Sequence, residues 1–433
     1  MLKVINSILW SIATCFLLIM GFYYTFKLKF VQFRFKDMFK NLFKKNKNDS
    51  ITPFESLMIV LGGRIGVGSI AGIALAIYYG GLGSIFWMWV IGLITVPLSF
   101  AETVLGVKYK EKDGKYYKGG PSYYIKKGLN KKWLGSLYAF LIILSYVGGF
   151  LGIQANTITK SVNTFININN FIVGIIICLI TLLIILGGIK KIAKTCSKLV
   201  PFMTLLYVLS ALYVVILNID LVPSILVSII KEAFNFKSFG FGLISTMIIG
   251  IQRGIFSSEA GLGTGAIASS TTDNKPSNQG FVQMIGVYIT TFLICTATAI
   301  IILTSNVSLN INDVNGIEIT QKAFIYHLGE TGNYIVFCSI VLFAFSTILS
   351  GYYDGEASLK YFYGNISKKK INILKMVTLI VIFFGSILSS SFLWSLVDIL
   401  TALLAIINIY ALIVLRKEVI DELRIYNKCD KIK

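Results

Sequence analysis

The chain has 433 residues, of which 55% are hydrophobic and only 14% are charged, and its mean hydropathy is +0.77. Soluble proteins contain about a quarter charged residues, so this composition excludes an ordinary soluble enzyme or binding domain. The formal charge of +20 would suggest nucleic acid as a partner of a soluble protein. Here the basic residues lie in loops between apolar segments, so we expect a membrane protein with no nucleic-acid partner.

Eleven segments are long and apolar enough to be helices that cross a bilayer, which needs roughly 20 residues each. Continuous runs of this length exclude the short alternating strands of a membrane β-barrel. The predicted spans cover approximately residues 5–25, 54–79, 82–106, 136–164, 169–187, 199–218, 239–269, 279–304, 332–352, 371–389 and 392–415. The predicted fold class is therefore an all-α integral membrane protein.

Most Lys and Arg residues lie in the loops that follow odd-numbered spans. By the positive-inside rule, this bias predicts a plasma-membrane protein with its amino terminus outside and its carboxyl terminus in the cytoplasm. The segment 27–50 interleaves Phe, Leu and Met with basic residues, which is typical of an interfacial helix on an anionic inner leaflet. The segment 416–433 is predicted to be a basic cytoplasmic tail.

Two spans contain glycine clusters that an ordinary membrane helix does not need. Span 2 has five glycines in residues 62–72, and span 7 has three in residues 259–265. After a first helix in residues 1–26, the spans form two sets of five, residues 51–219 and 220–415, and each set opens with a glycine-interrupted helix. Because five is odd, the second set is inverted relative to the first, which is typical of secondary transporters.

The chemistry of a broken helix explains why such a pattern indicates a binding site. Unwound backbone exposes N–H groups that bind a carboxylate and carbonyl groups that coordinate a cation. In a membrane, such backbone is tolerated only where it lines a cavity or is buried in protein. Close helix packing is the alternative explanation for clustered small residues. The pattern from Gly66 to Ala71 also matches a dinucleotide-binding fingerprint, but the flanking segments are helical rather than a βαβ unit.

At these residues the chain resembles the alanine/glycine:cation symporter family. The stretches that carry the resemblance are IGVGSIAGIALAIYYGGLGSIFWMWV (65–90), VKYKEKDGKYYKGGPSYYI (107–125), GGIKKIAK (187–194), KLVPFM (198–203), RGIFSSEAGLG (253–263) and AFSTIL (344–349). The resemblance implies the leucine-transporter fold, a five-plus-five inverted repeat with one extra helix in front. It also implies uptake of alanine or glycine by symport with sodium.

The resemblance implies two groups of site residues. Those expected to bind the amino acid are Gly66, Gly68, Ser69, Gln154, Phe256, Gly261 and Thr264. Those expected to bind the cation, through two carbonyls and two hydroxyls, are Gly62, Ile65, Ser346 and Thr347. The alternatives are that Gln154 only joins helices, and that the two hydroxyls bond to their own helix backbone.

Arg64 and Glu259 place charges at membrane depth beside the two breaks, where charged residues are costly and usually functional. Three roles remain open for Arg64. It could form a structural ion pair with Glu259, occupy the place of a bound sodium ion, or contact an acidic substrate. The second role would make transport independent of sodium or coupled to protons.

The predicted function is therefore a secondary transporter that imports a small neutral amino acid, with sodium or a proton as coupling ion and no other cofactor. A channel-like facilitator is an alternative, because carbonyl groups of broken helices also form selectivity filters. An enzyme is not expected, since the sequence contains neither an H-E-x-x-H nor a G-x-S-x-G motif.

Overall fold

The computed structural model describes residues 2–44, 50–166, 168–235, 243–305, 307, 316–364, 366–388 and 391–431. Almost all of this is helical. The α-helices in these ranges are α1 Leu2–Lys27, α2 Phe35–Leu42, α3 Pro53–Arg64, α4 Ala71–Gly80, α5 Gly83–Lys108, α6 Pro121–Gly128, α7 Lys132–Ile142, α8 Leu151–Phe165, α9 Asn170–Ile185, α10 Gly188–Leu217, α11 Val222–Ala233, α12 Leu243–Ser258, α13 Thr264–Ser269, α14 Pro276–Val287, α15 Thr296–Thr304, α16 Gly316–Tyr363, α17 Lys368–Ile387, α18 Ser391–Val414 and α19 Arg416–Lys431.

Shorter elements join some of these helices. Turns of 3₁₀-helix cover Val31–Phe33 and Val67–Ser69, and π-helical segments cover Ile143–Phe150 and Tyr288–Cys295. The π-helical segments connect α7 to α8 and α14 to α15 without interrupting either span. The strands β1 (Glu111–Asp113) and β2 (Tyr116–Lys118) form an antiparallel hairpin.

Within the described residues, eight helices are long and apolar enough to cross a membrane. Each of the eleven predicted spans overlaps a helix, but the two broken spans are divided into shorter pieces and α9 has only 16 residues. The number eleven therefore stays a prediction, as do the repeat boundaries and the orientation of the termini. The predicted start of span 7 at residue 239 lies outside the described residues.

The first broken helix begins with a strong local signal. Thr52 caps α3: its side chain accepts a hydrogen bond from the backbone N–H of Glu55, the Glu55 carboxylate accepts one from the Thr52 N–H, and Pro53 occupies the first helical turn. The helix ends at Arg64, the chain continues through the 3₁₀ turn, and α4 restarts at Ala71. The break thus lies inside the predicted glycine cluster.

The second broken helix separates α12 from α13. The backbone leaves the helical conformation at Glu259, which has a φ of 50°, and continues through Gly261 and Gly263, both with a φ of 91°. A positive φ is strained for a side-chain-bearing residue and ordinary for glycine, so the two glycines explain why the helix breaks here. Glu259 is the exception and is held by hydrogen bonds described below.

The long helices differ in what surrounds them. Helix α5 is almost wholly buried at the centre of the molecule, where α12 and α14 pack against it. By contrast, α1, α10 and α17 bury only about a third of their apolar length, and leave large side chains such as Ile19, Leu209 and Met376 exposed. An apolar belt of this kind is what a protein dissolved in lipid requires.

The extra N-terminal helix α1 packs against α5 and α18. Its Trp10 indole N–H donates to the Asp398 carbonyl (3.1 Å), and its Tyr24 hydroxyl donates to the Leu412 carbonyl (2.8 Å). The basic segment that follows forms α2, which contacts α14, while Arg34 bonds to Asn427 of α19 (2.8 Å). Residues 45–49 of this predicted interfacial segment lie outside the described residues, and its contact with lipid stays a prediction.

The β1–β2 hairpin follows α5 and was not predicted. Its sequence signal was the Asp-Gly pair at the turn, where Gly114 has a φ of 62°. The Lys360 ammonium of α16 lies 3.0 Å from the Asp113 carboxylate, and the Tyr117 hydroxyl donates to Asp273 (3.0 Å). Beside the hairpin, the Lys110 ammonium donates to the Thr272 carbonyl (2.6 Å). These hairpin contacts join α16 to the segment after α13.

Candidate functional site

The first break lies against α16, where two hydroxyl groups contact a backbone carbonyl near the end of α3. The Ser346 hydroxyl lies 3.1 Å and the Thr347 hydroxyl 2.9 Å from the carbonyl oxygen of Gly62 near the end of α3. Both side chains are fully buried, and both also bond back to the Phe343 carbonyl of their own helix. Three of the four predicted cation-binding residues therefore meet. The role of the Ile65 carbonyl stays a prediction.

Gln154 faces the break from α8. A Cβ atom placed on Gly66 would lie 2.7 Å from the Thr347 hydroxyl and 3.6 Å from the Gln154 amide nitrogen. Gln154 is 1% exposed, and neither its amide oxygen nor its amide nitrogen has a hydrogen-bond partner among the described residues. Burying an unsatisfied amide costs about 1–3 kcal/mol, so this side chain is poorly explained as a link between helices.

An aromatic wall closes the other side of the break. A Cβ atom on Gly68 would lie 3.0 Å from the ring of Phe256, which is itself packed between Phe150 and Trp394 with ring centroids 5.9 Å apart in both cases. Ser69 does not face this wall. Its hydroxyl lies 3.1 Å from that of Ser257 and 3.3 Å from the Arg64 carbonyl, so its predicted role in binding stays untested.

Glu102 of α5 occupies the second break, and sequence reasoning missed it. One of its carboxylate oxygens accepts hydrogen bonds from the backbone N–H groups of Gly261 and Gly263, both at 3.0 Å, and from the Asn408 amide at 3.2 Å. The residue is fully buried. A glutamate inside an otherwise apolar predicted span was the available signal, because a charge at that depth needs a partner or a task.

Arg64 points toward α5 and α14. Its guanidinium lies 3.7 Å from the second carboxylate oxygen of Glu102, donates to the Ser99 hydroxyl at 3.2 Å, and donates to the Gln283 carbonyl at 3.4 Å. Of the three roles left open for Arg64, the ion pair is thus seen with Glu102 rather than with Glu259, and the other two roles stay predictions. Glu259 is the acid next to a break in the sequence, whereas α3 turns Arg64 toward the glutamate of α5.

Glu259 is held by two hydroxyl groups. The Tyr146 hydroxyl donates to one carboxylate oxygen at 2.9 Å and the Thr264 hydroxyl to the other at 2.8 Å. Thr264, predicted to line the amino-acid pocket, is thus engaged with the second break. Gly261, also predicted for the pocket, has Leu17 of α1 where a side chain would begin. Contact of these two residues with a substrate stays a prediction.

The comparison with protein families covers the whole chain. The model of the sodium:alanine symporter family matches residues 1–433. The amino-acid carrier protein AlsT of Bacillus subtilis is 35% identical over 419 residues, which cover 96% of this chain and 89% of that protein. The probable sodium/glutamine symporter GlnT of the same organism is 38% identical over 434 residues (98% and 90%). The sodium/alanine symporter AgcS of Methanococcus maripaludis is 33% identical over 449 residues (100% and 98%).

Solved structures agree in fold. A Na⁺-coupled sialic acid symporter, in a substrate-bound outward-open state, has a TM-score of 0.54 at 13% identity and covers 93% of this chain and 82% of its own. MhsT, in complex with L-phenylalanine, has a TM-score of 0.51 at 14% identity, with coverages of 85% and 100%. Both have the leucine-transporter fold, which confirms the predicted fold. The chain therefore belongs to the sodium:alanine symporter family, and it is a sodium-coupled amino acid symporter rather than an enzyme.

Proposed function

We propose that this chain imports alanine or a similarly small neutral amino acid together with sodium, and that both bind at the first helix break. The two broken helices would let the site open alternately to either side of the membrane. The observation that carries the proposal is Gln154, a buried amide that faces the break at Gly66 and has no hydrogen-bond partner within the described part of the chain.

The two breaks support different roles for their backbone. At the second break, N–H groups of Gly261 and Gly263 bind the carboxylate of Glu102, which the protein itself provides. At the first break, the side chains facing Gly66 are the Gln154 amide and the Thr347 hydroxyl. An amino acid carboxylate at this position would accept hydrogen bonds from the unwound backbone and from Gln154, and would satisfy the buried amide.

Sodium binding is supported by the oxygen atoms of Gly62, Ser346 and Thr347. Carbonyl and hydroxyl oxygens suit a hard cation, which binds oxygen ligands without needing a fixed geometry. The two hydroxyls now donate to the carbonyl. On binding, they would turn their hydrogens away and present oxygen to the ion, so the cation would replace two hydrogen bonds with ion contacts.

Phe256 limits the size of the substrate. Its ring lies so close to the backbone of Gly68 that even one added carbon there would be in contact with it at 3.0 Å. Phe150 and Trp394 restrict this ring, because a buried aromatic side chain in contact with two other rings cannot easily turn aside. A short side chain such as that of alanine or glycine fits next to such a wall better than a long one.

The test is uptake by the purified chain in proteoliposomes. Labelled alanine, glycine, glutamine and glutamate are supplied with an inward gradient of sodium, potassium or protons. We expect saturable, concentrative uptake of alanine or glycine that requires sodium. Flux that only follows the substrate gradient and does not saturate would indicate a channel-like facilitator. Preference for glutamine, or coupling to protons alone, would contradict the proposed substrate or ion.

The variant Thr347→Ala tests the sodium site within the same assay. It removes one oxygen ligand, and we expect the sodium concentration for half-maximal uptake to rise by about tenfold, as for the loss of one hydrogen bond of about 1.4 kcal/mol. Thr159→Ala is the matched control, because Thr159 is also buried and its hydroxyl donates to the Ala155 carbonyl of its own helix. An equal effect of both variants would place the sodium elsewhere.

A further inference from the structure

A file of polar residues, one on each of four successive turns, runs along α16 and begins at Ser346 of the proposed sodium site. The file contains Ser346, Ser350, Asp354 and Ser358, each four residues from the next, and all are at least 96% buried. Residues at this spacing lie one above the other on a helix. Ser346 bonds to the Gly62 carbonyl, and the Ser350 hydroxyl lies 2.9 Å from where a Cβ atom of Gly63 would be. The end of the file that contains Ser346 and Ser350 therefore faces α3.

Asp354 is the one ionisable member of this file. It is 4% exposed, and its oxygen Oδ1 has no hydrogen-bond partner among the described residues. Within the described residues, no Lys or Arg nitrogen lies within 4.0 Å of the Asp354 carboxylate. Arg64 lies next to Glu102, and Lys360 lies next to Asp113 and Glu356. An ionised carboxylate buried without a partner is strongly destabilising.

The surroundings of Asp354 make this shortage of positive charge greater. The titratable groups around Asp354 are Glu259 beside the second break, Tyr138 of α7, Tyr146 of the π-helical segment, and Tyr353, which precedes Asp354 in the sequence. The hydroxyl of Tyr146 donates to Glu259, and that of Tyr138 donates to the Leu262 carbonyl. Neither proton is available to Asp354. Two buried acids near each other attract a cation that neutralises one of them.

We propose that Asp354 is a second binding position for a small monovalent cation, a sodium ion or a proton, on the same helix as the Ser346–Thr347 site. The unpartnered oxygen binds the cation, and the serines on either side provide hydroxyl oxygens along the same helix face. This inference depends on the proposed function, because it adds one coupling cation to the symport of an amino acid with sodium.

The experiment counts charges and ions per alanine in proteoliposomes containing the full chain. A potassium gradient with valinomycin sets the membrane potential, and the potential at which net alanine flux reverses gives the charge moved with each alanine. Radioactive sodium uptake and a trapped pH dye then identify the ion. For the wild type we expect two positive charges per alanine, one for each position.

Asp354→Asn should reduce the count to one charge while leaving exchange of labelled alanine across the membrane intact. The loss of one driving charge should lower the maximal accumulation of alanine roughly fiftyfold at a potential of 100 mV. If the lost ion is sodium, the sodium count falls by one; if it is a proton, acidification of the vesicle interior disappears. Glu356→Gln is the matched control, since it removes a buried carboxylate of the same helix and should leave the count unchanged.

Two results would overturn the inference: a wild-type count of one charge per alanine, or an unchanged count in Asp354→Asn. Should that variant fail to fold, Asp354→Ser tests the same loss of a carboxylate, and the wild-type count stands without any variant. Absence of sodium-driven alanine uptake in the wild type would instead contradict the proposed function. Sodium-driven uptake with a single charge would contradict only the second position.

Discussion

The two helix breaks are built from the same kind of sequence but are filled differently. At the second break, the carboxylate of Glu102 accepts three hydrogen bonds, two of them from the unwound backbone of Gly261 and Gly263. At the first break, Gln154 faces the unwound backbone with no hydrogen-bond partner among the described residues. The second break is occupied by a carboxylate of the protein, whereas the first break faces a buried amide whose hydrogen bonds are not satisfied by the described residues.

This difference separates two uses of an interrupted membrane helix. Unwound backbone must be satisfied inside a membrane, whether by the protein or by a ligand. A break satisfied by the protein keeps a fixed shape and can act as a structural joint. A break left to a ligand changes its energy when the ligand binds, which is what a transport cycle needs.

The largest effect is expected from removing the carboxylate of the filled break. Glu102→Ala leaves Arg64 buried without its acidic neighbour and two backbone N–H groups without an acceptor. Loss of one member of a buried ion pair costs about 3–5 kcal/mol. We expect a large fall in the yield of folded protein and in the midpoint of thermal unfolding in detergent, measured by circular dichroism.

A comparison of two further variants identifies the cause. Glu102→Gln keeps an oxygen acceptor for Gly261 and Gly263 but removes the charge, so its stability should lie between wild type and Glu102→Ala. Combining it with Arg64→Met removes the stranded charge and should recover part of the loss. Wild-type stability of Glu102→Ala would show that the second break does not depend on this carboxylate.

A smaller and different effect is expected at the first break. Gln154→Ala removes the amide that faces the proposed substrate carboxylate, and a hydrogen bond to a charged group contributes about 1.5–3 kcal/mol. We expect the alanine concentration for half-maximal uptake to rise roughly tenfold to a hundredfold, with little change in thermal stability.

Asn156, two residues further along α8, provides the control. Its amide donates to the carbonyls of Gly385 (3.2 Å) and Leu388 (2.7 Å), so it is a satisfied link between helices. Asn156→Ala should lower stability and leave the half-saturation concentration unchanged, the reverse of Gln154→Ala. If Gln154→Ala behaves as Asn156→Ala does, the first break is also filled by the protein.

The smallest effect is expected at the hairpin contacts, where the charges are partly exposed. The Lys360 ammonium, 19% exposed, lies 3.0 Å from both Asp113 and Glu356. Lys360→Gln should reduce the local stability of the hairpin by about 0.2–1 kcal/mol. Faster hydrogen exchange in residues 111–118 would show this, and Lys112→Gln, an exposed residue of β1, should not change it. Equal exchange in both variants would contradict a role for Lys360.

The sequence predicted the breaks well because their cause is local. Gly66 and Gly68 lie in the first break and Gly261 and Gly263 in the second, close to one another in the sequence in each case, and the two spans could be matched by counting. The partner of the second break could not be found this way, because Glu102 is 159 residues before Gly261 in the chain. The acidic neighbour of Arg64 could not be identified for the same reason, because the direction in which a helix turns its side chain depends on tertiary packing.

The hairpin was missed although its Asp-Gly turn was visible, because two three-residue strands carry too little periodic pattern to stand out. Gln154, Ser346 and Thr347 were found only through the resemblance to a family. As single polar residues in membrane helices, they have ordinary structural explanations. Only the structure separates Gln154, which has no hydrogen-bond partner in the ranges that the structure describes, from Asn156, which has two there.

The hairpin contacts also determine how firmly α16 is held to the segment after α13. Asp113, Tyr117 and Lys110 join α16 to the segment after α13 through polar bonds near the surface. Water can replace such bonds with little change in free energy, whereas dissolved salt weakens the charged one. Separation of α16 from that segment should therefore be easy to reverse. Ionic strength should influence how often it occurs when the salt is on the side of the membrane where the hairpin lies, and not when it is on the opposite side.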